Sequence, residues 1–190
     1  MSQPTPLGVS LEDPRNQGPI AFFHPPDVTE DYIRRRFTRA FRNATPQEID
    51  ARVARFLAEL ASKSPRPPPP LSQSLDAVKN PFYELGVHPD IVEQLWQLDR
   101  ALPLSSRWVV WGHPSLVHPR TGVIFSVAIG TIGIVARMPQ RLRQGMSVVR
   151  PLAFGESFDI SSAGPEWRFL ASPPDETTIL AAFEDAELRL

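Results

Sequence analysis

The apolar residues of this chain change their spacing near Arg107, and that change limits the folds open to it. Before Arg107 they recur every three or four positions. After it they recur every two, with frequent interruption by glycine and proline. The first spacing gathers side chains on one face of a helix, the second on one face of a strand. Helices followed by closely spaced strands predict an α+β fold with a mainly antiparallel sheet in the C-terminal part. The strands lie too close together in sequence for parallel crossover helices between them.

Two helices are expected over residues 27–62. In the first, Asp27 can cap and Glu30 can complete a capping box. Ile33, Phe37, Ala40 and Phe41 then share one face, while Arg35, Arg39 and Arg42 take the opposite one. In the second, Thr45, Pro46 and Glu48 form a helix start. Ile49, Val53, Phe56, Leu57 and Leu60 give its apolar stripe, and the pairs Glu48–Arg52 and Arg55–Glu59 stand four apart on the wet side. The short link at Asn43-Ala44 makes the two an N-terminal helical hairpin.

Prolines punctuate the rest of the first half; the chain has 22 of them. Residues 1–26 read as an irregular lead-in, in which Ile20 to Phe23 form a short strand or a docked segment. Residues 63–71, with Pro67 to Pro70, read as a stiff proline-rich spacer in polyproline II conformation, or as a ligand for an aromatic groove. Residues 72–190 then form the α+β domain. A short helical turn is expected at Leu75 to Val78, broken by Asn80-Pro81, and a helix over Asp90 to Leu102.

From Arg107 the strand signals follow one another. Trp108 to Trp111 reads as a strand ending in a turn at Gly112-His113-Pro114. Val123 to Ile129 and Ile132 to Met138 are strand-like, with Val123, Phe125, Val127 and Ile129 alternating onto one face. Gly130-Thr131 makes a hairpin turn between them, or Gly130 and Gly133 mark bulges in one bent strand. Met146 to Val149, Phe158 to Ile160 and Trp167 to Ala171 add strands. A closing C-terminal helix runs from Asp175 to Ala186, capped by Ser172 or Asp175.

Composition excludes several classes of function. With no cysteine, there is neither a disulfide framework nor thiolate chemistry, and a metal would need histidines and carboxylates alone. The first residues lack a basic region followed by an apolar run, so no secretory leader is read there. The longest apolar stretch, between Arg120 and Arg137, is too short for a helix that crosses a bilayer. These features predict a soluble, cytoplasmic protein without a membrane partner. Net charge is −1, which gives no overall pull toward nucleic acid. No acid occurs from Ala101 through Gly155, whereas acids dominate from Glu156 onward. The two segments either neutralise each other in the fold or leave a basic surface for an anionic partner.

Catalytic signals are sparse. His113 and His118 each precede a proline, and on a straight strand they face opposite ways; only a loop would let them converge as an enzyme site. No serine sits in a nucleophile elbow, and Gly130 to Gly133 lacks the pattern of a phosphate loop. Glu84, Glu156 and Asp159 are candidate acids without evidence of pairing. No cofactor or metal is expected. The reading is therefore a non-enzymatic interaction protein of adaptor, regulatory or inhibitor type, whose partner is another protein. Its surface residues would be Arg35, Arg39, Arg42 and Trp111. A homo-oligomer is left open. The alternatives are an enzyme with its site near His113 and His118, or anion or nucleic-acid binding through the Arg-rich surfaces. Nucleic acid is disfavoured by the acids flanking the first Arg cluster and by the absence of a recognition motif.

Overall fold

The structure, a computed structural model, describes residues 8–23, 29–62, 70–75, 78 and 86–188. Its helices are α1 (Pro14–Phe23), α2 (Glu30–Ala40), α3 (Pro46–Ser62), α4 (Pro89–Arg100) and α5 (Glu176–Glu187). Its strands are β1 (Ser72–Ser74), β2 (Arg107–Val110), β3 (His113–Val117), β4 (Ile124–Ile129), β5 (Gly133–Arg137), β6 (Val149–Pro151), β7 (Ser157–Asp159) and β8 (Trp167–Phe169). The fold is α+β. Six strands form an antiparallel sheet in the order β1-β2-β3-β4-β5-β8, and β6 pairs with β7 in a separate hairpin.

Strand β4 is buried at every position, so the sheet is covered on both faces. Leu95 and Leu98 of α4 and Ile179 and Phe183 of α5 pack on one face with Phe125 and Ala128. Phe23 of α1, with Ile160 and Trp167, packs on the other face against Ile124, Val127 and Ile129. This corrects the expected alternation of Val123, Phe125, Val127 and Ile129 onto one face. Ser115 pairs with Val127 and Leu116 with Ser126, but Val117 pairs with Ile124. The extra residue on β4 is a bulge, and it reverses the facing of side chains on either side of it.

The first tight turn also differs from expectation. Val110 pairs with His113, so the turn is Trp111-Gly112 and His113-Pro114 already belong to β3. Both turn residues have positive φ, 42° and 81°. That backbone matches the right-handed twist of the flanking strands. The turn requirement therefore outweighs the proline as a local signal. At Gly130-Thr131 a turn does form, closed by the Ile132 N–H on the Ile129 carbonyl at 2.9 Å.

Helix starts follow the expected chemistry. The Glu48 carboxylate accepts from the Thr45 N–H at 2.7 Å while the Thr45 hydroxyl accepts from the Glu48 N–H at 3.3 Å, a reciprocal capping box. Thr29 caps α2 and Asp175 caps α5. Asp27, the expected cap of the first helix, lies outside the described residues. So do residues 1–7, His24-Pro25-Pro26, most of the proline-rich spacer, Asp76-Ala77 and Asn80-Pro81. Leu71, at the spacer's end, accepts from the Trp111 N–H at 2.7 Å.

Part of the expected lead-in is helical: α1 docks on the sheet. Asn16 is wholly buried. Its amide donates to the Ser10 and Gly122 carbonyls at 2.7 and 2.8 Å, and its oxygen accepts from the Ile124 N–H at 2.8 Å. Gly18 lets the helix approach so closely that any Cβ there would collide with the Ala163 carbonyl. At the other end of the chain Arg15 donates to the Ala186 and Leu188 carbonyls. The basic and acidic segments neutralise each other in part: Arg137 pairs with Asp185 at 2.8 Å and Glu166 at 3.6 Å, and Arg120 with Glu187 at 2.6 Å. Among the described residues, no helix is long and apolar enough to cross a membrane.

Candidate functional site

Helix α2 lies beside β7, which brings the Arg face of the hairpin against residues from two other parts of the chain. The result is a cleft of about 250 Å³, lined by Phe22, Tyr32, Arg35, Arg36, Arg39 and Phe158 among others. Arg35 and Arg39 stand four apart on α2 and so rise from one side of it. The aromatic part is supplied by Phe22 at the end of α1 and Phe158 of β7, whose rings meet edge-on with centroids 5.9 Å apart. The Arg36 guanidinium stands 5.9 Å from both ring centroids, within cation–π range.

The arginines of the hairpin divide into two groups. Arg34 pairs with Glu30 and Asp50. Arg42 pairs with Asp159 at 3.1 Å, and Arg52 with Glu156 at 3.9 Å while lying over the Phe41 ring. These last two contacts fasten the hairpin to the β6–β7 unit. They also account for Glu156 and Asp159, which act as docking partners; Glu84 lies outside the described residues. Burial works to raise the Asp159 pKa, but hydrogen bonds from Ser161 together with the Arg42 guanidinium outweigh it and hold the carboxyl below its usual range. By contrast, among the described residues Arg35, Arg36 and Arg39 form no ion pair, and all three are exposed. The expected Arg55–Glu59 ion pair is not formed among the described residues.

Of the other nominated residues, Trp111 sits half-buried in the β2–β3 turn and does not line the cleft. The two histidines lie on opposite faces of the sheet. His113 meets Phe23 on the α1 side, and His118 meets Phe183 on the α5 side. Each has a structural explanation. Extending the Ser115–Val127 register by one step sets Pro114 opposite Ala128. Proline has no N–H to donate, and His113 Nδ1 reaches the Ala128 carbonyl instead, at 3.4 Å. His118 Nδ1 accepts from the Thr121 N–H at 3.3 Å, shaping the turn into β4. Burial lowers the pKa of both imidazoles. Among the described residues no group of three or more His, Asp or Glu is placed to hold a metal.

A second hollow, of about 360 Å³, lies between His88, Gln94, Gly133, Arg150 and Ser172. Its one arginine is already committed. Arg150 donates to the Ile132 and Leu170 carbonyls at 2.6 and 2.8 Å and covers the Phe169 ring. The smaller cleft is the better candidate because none of its three arginines forms an ion pair among the described residues.

The sequence reading found Arg35 and Arg39 by helical period. It missed Phe22, Tyr32 and Phe158, because the cleft is assembled from segments far apart in the chain. The adjacent pair Phe22-Phe23 was the only local signal: one ring enters the core and the other is left to line a surface. No protein-family model, curated protein or solved structure matches the chain.

Proposed function

We propose that this protein is a non-catalytic interaction module that captures an acidic segment of another protein in the cleft between α1, α2 and β7. The observation that carries the reading is the set of three exposed arginines, Arg35, Arg36 and Arg39, without ion-pair partners among the described residues, around an aromatic floor. Each neighbouring arginine of the hairpin that touches the fold has an acid against it. The cleft has room for one or two side chains, not for a duplex groove. A ligand that sets carboxylates against Arg35 and Arg39 and an apolar side chain against Phe22 and Phe158 satisfies both parts of the lining. Arginine and aromatic residues are the types that anchor protein interfaces.

The test is fluorescence anisotropy with a labelled peptide in which Leu and Phe are flanked by glutamates. The expected result is saturable binding that weakens with salt and falls at least about tenfold in an Arg35→Glu/Arg39→Glu variant. Arg141→Glu, an exposed arginine outside the cleft, serves as the control and leaves binding unchanged. Equal binding by the double variant and the parent chain would refute the reading.

A further inference from the structure

We infer that the protein self-associates through an antiparallel pairing of α3 with α3 of a second copy. Only Ile49 and Val53 of this helix are buried. Further along it Phe56, whose ring meets Phe37 edge-on, is exposed by 36 % and Leu60 by 45 %. These are two of only four large apolar side chains so exposed among the described residues. Next to them is a notch of about 250 Å³, lined by Phe37, Phe41, Arg52, Arg55, Phe56 and Glu59.

The four α3 residues in that lining stand at i, i+3, i+4 and i+7. Leu60 stands one turn beyond Phe56 and shares its stripe of α3. A two-fold axis beside α3 near Ala58 sets Phe56 of each copy against Leu60 of the other, which is the self-complementarity an isologous dimer requires.

Charge selects the direction. At 100° per residue, Arg55 and Glu59 fall on the same flank of the Phe56–Leu60 stripe. An antiparallel pair sets like flanks together, so Arg55 of each copy lies near Glu59 of the other. A parallel pair would set that flank against the opposite one. The Arg55 and Glu59 side chains are not used within one copy, since neither forms an ion pair among the described residues. Arg35 and Arg39 fall about 160° around α2 from Phe37, so a dimer leaves both clefts open. The inference does not depend on what the cleft binds.

The contact is smaller than a standard interface, so a Kd on the order of 10–100 µM is expected. Sedimentation velocity of the full chain from about 1 to about 500 µM spans that range and should show a monomer–dimer equilibrium. Leu60→Glu, at an exposed site where the monomer fold is unaffected, should weaken dimerisation at least about tenfold with an unchanged circular dichroism spectrum. Arg55→Glu and Glu59→Arg should each weaken it, and the double variant Arg55→Glu/Glu59→Arg should restore it. A chain that stays monomeric throughout, or a dimer indifferent to Leu60→Glu, overturns the inference. Loss on Leu60→Glu without rescue by the charge swap overturns the antiparallel register.

Discussion

Replacing Asn16 with alanine should release α1 from the sheet at a cost that can be worked from its contacts. The side chain makes three hydrogen bonds, to the Ser10 and Gly122 carbonyls and from the Ile124 N–H. At about 1 kcal/mol net each, they contribute about 3 kcal/mol. Alanine also strands the Ile124 N–H, while the Gly122 carbonyl keeps the Ser10 N–H, which brings the loss to about 3–4 kcal/mol. In urea unfolding followed by tryptophan fluorescence, with a slope of about 2 kcal/mol/M, the midpoint should fall by about 1.5–2 M. Asn16→Asp keeps the acceptor for Ile124 but turns a carboxylate oxygen toward two carbonyls. It should be at least as damaging at neutral pH. Because α1 carries Phe22, Asn16→Ala should weaken peptide capture in the cleft as well. A midpoint shift below about 0.3 M would refute the reasoning, since it corresponds to less than one hydrogen bond.

Three further outcomes follow from the packing. Gly18→Ala should destabilise by about 1–3 kcal/mol through the clash with the Ala163 carbonyl, readable as a lower thermal midpoint. Asp99 is buried and accepts from the Ser106 N–H at 2.7 Å and from Arg107 Nε at 2.7 Å, fastening the end of α4 to β2. Asp99→Ala should cost about 3 kcal/mol by urea unfolding. Burial depresses the pKa of His113 and His118 below the ordinary 6.5, so the folded state binds fewer protons than the unfolded one. Their contribution to stability is complete above that value and is lost as pH falls below it. Unfolding midpoints should therefore drop between about pH 7 and about pH 5, and less so in His118→Gln, which lacks the titrating group.

Much of the architecture was legible because period and capping chemistry are local. The switch at Arg107 announced the sheet, and Thr45, Pro46 and Glu48 announced α3 within a residue. What escaped was set by distant partners. Helix α1 contains Pro19 and has little amphipathic pattern; it forms because Asn16 and Gly18 fit β4 and Ala163. The bulge opposite Leu116 and Val117 cannot be read from alternation on one strand, because it is a mismatch between two. His113-Pro114 looks like a turn in isolation, yet here a histidine supplies the N–H that proline lacks in a central strand. The cleft was half legible. Arg35 and Arg39 follow from helical spacing, while its aromatic floor comes from residues more than a hundred positions apart.

The most direct test of the account is to observe the cleft side chains themselves. Arginine Nε–Hε and backbone amide resonances of the labelled protein can be followed by NMR while the acidic peptide is added. The account predicts saturable shifts at Arg35, Arg36 and Arg39 and at Ser157 to Asp159, with the resonances of Gly133 and Arg150 unmoved. Shifts centred on Gly133 and Arg150, or none at the three α2 arginines, would contradict it.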